Sequence, residues 1–161
     1  MSRHNDPAKA LQLRAPEQVA RQRLGVELPR VLERNHALPE ATLAGDFILL
    51  DSRGAAAETR SRDAPLVGLG THWWVFATSG TGDAWLMSPV DGRSIAFLDH
   101  DAGPDAVPQP MQLDFAQWLQ LADLLDQWEQ CEPPPAPAHI QALLETISAG
   151  LAACYPYALD G

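Results

Sequence analysis

Two cysteines, Cys131 and Cys154, are all that this 161-residue chain carries. That is too few for a disulfide framework, so the core must hold itself together by packing, and each thiol behaves as a small apolar side chain. Long hydrophobic runs are also missing. The longest, such as Trp73 to Ala77, fall far short of a membrane span. Residues Met1 to Asp6 lack a basic-then-apolar pattern, which makes a cytoplasmic location the expectation. Basic residues are scarce outside the N-terminal segment. Residues 1–36 hold seven Lys/Arg and four Asp/Glu, while residues 37–161 hold four and seventeen, giving −10 in all. An acidic body repels nucleic acid and anionic lipid and steers a basic protein towards itself. The plainer role of such charge is solubility.

What is present suits one globular domain. Apolar residues make up 46% and charged residues 20%, as in a folded chain and unlike a disordered one. Fourteen prolines and eleven glycines call for many turns and short elements. Pro16 suits the first turn of a helix running to about Leu24, ended by Gly25. A second short helix starts at Pro29 and includes Val31 and Leu32, followed by a break over Asn35 to Pro39. Phe47-Ile48-Leu49-Leu50 reads as a buried strand. Residues 52–64 read as a polar, mobile loop.

Three further strands are expected over Trp73–Thr78, Ala84–Ser88 and Ser94–Asp99. Their separators, Ser79 to Asp83 and Pro89 to Arg93, are rich in turn residues, and Asp91-Gly92 is a strong hairpin signal. Connections this short cannot make parallel crossovers, so an antiparallel meander follows. After a loop over Gly103 to Pro110, Asp114 is a good N-cap for a helix to about Glu129. That helix carries one stripe of Phe115, Trp118, Leu119, Ala122 and Leu125 and a second of Leu121, Leu124 and Trp128, so it must be covered on more than one side. A stiff spacer, Pro133 to Pro137, precedes a last helix over about 138–152, with Ile140, Leu143, Leu144, Ile147 and Leu151 on the face expected to cover the second stripe. The fold class is therefore α+β, an antiparallel meander packed against N-terminal and C-terminal helices.

Three stretches carry a family resemblance. The run from Val75 to Met87, with Gly82-Asp83 between two strands, is similar to the strand, polar turn, Gly-Asp, strand pattern of the SMI1/KNR4 domain, the SUKH superfamily. Asp91 to Asp101 resembles that family's strand ending in Asp-His-acidic, and Leu113 to Leu119 resembles the start of its late helix. The likeness covers residues 73–128 well and 28–50 loosely. It implies a single SMI1/KNR4-like domain with a core at about 28–129 and a C-terminal helical extension at about 138–152. By the same resemblance the chain is a cytoplasmic immunity protein that neutralises a cognate bacterial toxin by direct binding. Fungal members implied by the same likeness are regulatory scaffolds, which keeps a non-toxin protein partner as an alternative.

Among chemical clusters, Asp99-His100-Asp101 is the most suggestive. On a strand, Asp99 and Asp101 would share a face with His100 opposite, and no second His/Cys pair supports them as metal ligands. The competing reading has the two aspartates capping a strand end and its turn and His100 packed or hydrogen-bonded. Ser79-Gly80-Thr81-Gly82 lacks the lysine and helix of a P-loop, so a turn explains it, with Gly82 at a backbone angle other residues resist. His72-Trp73-Trp74 should send one tryptophan inward and leave the other partly exposed or under a helix; burial of both competes with a binding role. No cysteine neighbours a histidine in sequence, and no acid/base carboxylate pair stands out. The expectation is thus a binding protein with no catalytic residues, cofactor or metal, whose partner contacts are Asp83, Trp85, Asp91, Asp99 and Asp101. A metal-dependent hydrolase using Asp99 and His100 is the remaining alternative.

Overall fold

The computed structural model describes residues 11–32, 38–63, 73–88, 94–101 and 107–159. The expected break over Asn35 to Pro39 falls mostly outside them. His72, Asp91 and the Asp91-Gly92 turn lie outside them altogether.

Pro16 opens helix α1 (Pro16–Val19) at its first turn, the chain continues as a π-turn over Ala20–Leu24, and Gly25 closes it at φ 68°. The second short helix, α2 (Leu28–Val31), begins one residue ahead of the expected proline. Six strands then form one antiparallel sheet in sequence order: β1 (Ala41–Ala44), β2 (Phe47–Leu49), β3 (Trp74–Thr78), β4 (Ala84–Met87), β5 (Ile95–Leu98) and β6 (Gln109–Pro110). The meander is as expected, with β1 and β6 added at its edges.

Residues 52–64 depart from the sequence reading. Ser52–Asp63 form a helix, α3, and not a loop. Asp51 explains its start, because Oδ1 accepts from Gly54 N at 2.8 Å and satisfies a free amide of the first turn. Ala55 and Thr59, four residues apart, are the buried positions of this helix. Thr59 Oγ1 donates to Ala55 O at 2.8 Å and accepts from Val75 N at 2.9 Å. The buried face is built from small residues, so no apolar stripe announces it.

The sheet has two dressed faces. Phe47, Leu49, Phe76, Trp85, Ile95 and Phe97 belong to the main core. Val75, Ala84, Leu86, Ala96 and Leu98 form a smaller cluster, with Leu50 and Trp73 packed on it. The alternation along β4 and β5 is the pleat itself. A register shift between Val75 and Ala77 lets Phe76 and Ala77 both join the main core.

Across the main core lies α4 (Phe115–Gln130), capped by a reciprocal box. Gln117 N donates to Asp114 Oδ1 at 2.8 Å and Asp114 N donates to Gln117 Oε1 at 2.9 Å. Trp118 is fully buried, with ring centroids 4.8 Å from Phe76 and 5.4 Å from Phe47. Helix α4 also packs against α1, β1 and the next helix, which is the many-sided cover its two stripes require.

The last expected helix is two. Helix α5 (Pro137–Ile147) stops at Ser148, Gly150 turns the chain at φ 87°, and α6 (Leu151–Cys154) follows. Glu145 secures the corner by accepting from Gly150 N and Ala152 N at 3.1 and 2.9 Å. Ile140, Leu144, Ile147 and Leu151 are buried in the same core as Leu121 and Leu124. The N-terminal segment is pinned by charge. Arg23 reaches Asp126 at 3.2 Å, buried Asp123 at 3.5 Å and Leu43 O at 2.9 Å, and Arg14 reaches Asp123 at 3.6 Å. No helix among the described residues is long and apolar enough to cross a membrane.

Candidate functional site

A cluster of polar residues gathers at one end of the sheet, where the turn between β3 and β4 meets the end of β5 and the C-terminal tail. The register Ala84↔Leu98 sets Asp83 across from Asp99 and beside His100. In the turn, Gly82 takes φ 96°, as expected of a position that L side chains resist. Gly80 sits so close to the β1–β2 turn that a Cβ there would lie 3.0 Å from Gly45 O.

Asp83 is the hub. It is 4% exposed, and both carboxylate oxygens are engaged. Oδ2 accepts from Tyr157 Oη at 2.7 Å and from the Ser79 and Thr81 hydroxyls at 3.1 Å each. Oδ1 accepts from His100 N at 3.0 Å and lies 2.5 Å from His100 Nδ1. Burial works against ionisation of Asp83. The bonds from the His100 ring and backbone, Tyr157 and Thr81 outweigh it and hold the carboxyl well below the usual carboxylate range. His100 moves the other way. Its bond to Asp83, joined by the charges of Asp101, Asp83 and Asp99, raises it above an ordinary histidine. Burial, with the Asp83 bond and charge, drives Tyr157 upward, so the phenol stays a donor.

Asp99, His100 and Asp101 are exposed. Strand β5 ends at Leu98, so these three do not alternate across a sheet, and the expectation of His100 on the opposite face does not hold. The chain turns instead, and Asp101 N donates to Asp99 Oδ1 at 2.8 Å, which is the turn-capping role weighed for Asp99. The turn places Asp99 Oδ1 3.8 Å from His100 Nδ1 and Asp101 Oδ1 3.3 Å from Nε2. Behind them Asp46 is raised by burial and by the charge of Asp83, against the Gly80 amide that bonds it.

The expected partner contacts divide. Asp99 and Asp101 reach solvent. Trp85 does not: it is 0% exposed, stacked 5.1 Å from Phe47, and its Nε1 donates to Asp46 O at 2.8 Å. Its place as a surface anchor is therefore corrected, because β4 points it into the aromatic core. Asp83 is likewise interior, occupied by its own hydrogen bonds. Asp91 lies outside the described residues. Of the adjacent tryptophans, Trp73 is half-buried on the smaller cluster and Trp74 is 39% exposed.

Sequence reasoning missed the joining of Asp83 to His100 and the arrival of Tyr157. The first was readable from the hairpin, since pairing β4 with β5 sets Asp83 next to the Asp-His-Asp run. The second was not, because Tyr157 comes from the tail. Comparisons with protein-family models, with curated proteins and with solved structures found no match.

Proposed function

We propose that this domain works by binding another protein, and specifically that it is an immunity protein of the SMI1/KNR4 kind that neutralises a toxin by occluding it. The observation that carries this reading is the way the sheet end presents charge. Asp99 and Asp101 stand in solvent on a turn whose base is fixed by buried Asp83, with its five hydrogen bonds. Charges held on a rigid base cost little conformational freedom when a partner docks. The wider field has the same sign. From residue 63 to 161 the sequence holds thirteen Asp/Glu and a single basic residue, Arg93. Such a surface speeds capture of a basic partner, and close packing then sets how long the complex lasts. Cytoplasmic residence follows from the same proposal.

A regulatory scaffold with a non-toxin partner would use the same surface, and only the partner's identity separates the two. A hydrolase has one point in its favour. Asp83 orients His100 through Nδ1, as a carboxylate orients a general base. Its Nε2, however, stands 3.3 Å from the Asp101 carboxylate, and the exposed acidic turn makes binding a better-supported reading than a metal-dependent hydrolase. The test is to co-express the chain with the toxin encoded beside its gene. Restored growth and a complex that survives size-exclusion chromatography are expected. Continued growth arrest with no isolable complex would overturn the proposal.

A further inference from the structure

We propose that Asp83, Asp99 and His100 form a binding site for a borderline divalent transition-metal ion, with Zn²⁺ as its natural probe. One ligand atom from each residue, Asp83 Oδ1, Asp99 Oδ1 and His100 Nδ1, lies within 4.8 Å of the other two. Strand alternation does not separate these groups, because residues 99–101 turn, and a further ligand comes from Asp83 at the end of the β3–β4 turn. Zinc binds imidazole nitrogen and carboxylate oxygen at about 2.0–2.2 Å, which in a tetrahedral site sets donor atoms about 3.3 Å apart. From the distances here, Asp99 must close on His100 by roughly half an ångström and His100 must open from Asp83 by somewhat more. Asp99 and His100 are both exposed, and Asp99 Oδ1, which accepts from Asp101 N, keeps a second lone pair for the ion.

Asp83 need not move. Ser79, Thr81 and Tyr157 hold Oδ2, and the His100 amide takes one lone pair of Oδ1, leaving the other for the ion. Asp101 Oδ1 lies 3.3 Å from His100 Nε2, the side of the ring on which carboxylates stand behind metal-bound histidines. The ion takes the place of the proton between His100 and Asp83 and offsets the excess of negative charge in the cluster. A nitrogen donor and only three protein ligands disfavour Ca²⁺ and Mg²⁺, which seek six or more oxygens or a largely hydrated shell.

Tag-free, chelator-treated protein is titrated with ZnCl₂ by calorimetry. One equivalent binds, and His100→Ala and Asp99→Asn each weaken binding at least tenfold. Asp101→Asn weakens it less, and Mg²⁺ in excess does not compete. The altered residues are exposed, so circular dichroism should show all variants folded. His139→Ala and the paired Cys131→Ser and Cys154→Ser changes leave affinity unaltered. Absence of saturable one-to-one binding, or binding that survives His100→Ala, overturns the site. The outcome does not depend on whether a toxin is bound.

Discussion

Tyr157 donates its hydroxyl proton to Asp83 Oδ2 at 2.7 Å, joining positions 74 residues apart in sequence. Through that bond the C-terminal tail is tied to the turn that carries Asp99 and Asp101, and Tyr157 also sets its ring 5.6 Å from Phe97. The residues beyond the proline spacer are thus part of the domain's closing layer. Asp83→Ala leaves five donor groups facing a void, and a hydrogen bond to a buried charge is worth roughly 1.5–3 kcal/mol. The variant should lose about 2–3 kcal/mol in urea denaturation with chelator present. Tyr157→Phe, which removes one bond, should lose less. Equal stability of wild type and Asp83→Ala would mean the hub bears no weight.

Asp83 and its half-buried neighbour Asp46 should respond to pH with opposite sign. Asp83 is depressed in the folded state, so its contribution is present above the ordinary carboxylate range and fades only as pH falls through its low folded value. Asp46 is raised by burial and by Asp83. Its contribution is therefore greatest below its ordinary pKa and is lost as pH rises through the folded value. Against wild type, Asp46→Asn should gain relative stability between about pH 3 and pH 6, and Asp83→Asn should look worst at the upper end of that range. Melting curves at several pH values check both. Parallel difference curves for the two variants would show that the contrast in their surroundings has no energetic effect.

Arg23 bridges the N-terminal helix, α4 and the edge strand through Asp123, Asp126 and Leu43 O. Asp123 is 2% exposed, and a buried charge stripped of partners is expensive. Arg14 remains beside it when Arg23 is removed, so Arg23→Ala should cost roughly 1–3 kcal/mol. The double change with Arg14→Ala should exceed the sum of the two single losses. A double-mutant cycle by urea denaturation reads this directly, and strict additivity would show that the two arginines do not share Asp123.

For partner binding, surface and core must separate. Asp99→Asn and Asp101→Asn remove exposed charge and should change stability by no more than about 0.5 kcal/mol. They should slow association with a basic partner and flatten its salt dependence. Trp85→Ala should instead cost about 3–5 kcal/mol of folding stability, with any loss of binding following from unfolding. Stopped-flow association rates beside thermal melts distinguish the two. A folded Trp85→Ala protein with selectively weakened binding would return that tryptophan to the interface.

The elements legible in the sequence are those whose chemistry is local. Pro16 with Gly25, Asp114 as an N-cap, and the stripes around Trp118 each announce a helix through caps or periodicity. The strands from Trp74 to Leu98 announce themselves through apolar runs between turn residues. What was not legible depends on distant partners. Strand β6 is only Gln109–Pro110, and β1 is Ala41–Ala44, both too short and too weakly apolar to stand out. Trp85 reads as a partner contact until Phe47 is found stacked against it. The site was half legible, since strand pairing brings Asp83 to Asp99, while a tail residue completes it.

Helix α3 was the largest misreading, and it supplies the sharpest local test. Its polar composition hides a face of Ala55 and Thr59, and Thr59 Oγ1 ties it to the sheet by accepting from Val75 N at 2.9 Å. Val75 borders the register shift of β3, where its amide takes this side-chain acceptor. Thr59→Val keeps the shape but removes the acceptor, leaving a buried N–H unpaired at a cost of about 1–3 kcal/mol. Thr59→Ser retains the oxygen and should cost less. Removing the helix cap with Asp51→Ala should cost about 1 kcal/mol and loosen the same contact from the other end. Amide hydrogen exchange at Val75 reads both changes, because protection there requires α3 to be docked. Rapid exchange in Thr59→Val and near-native protection in Thr59→Ser are expected. Unchanged protection in Thr59→Val would show that the helix is held to the sheet by packing of its small side chains and not by this hydrogen bond.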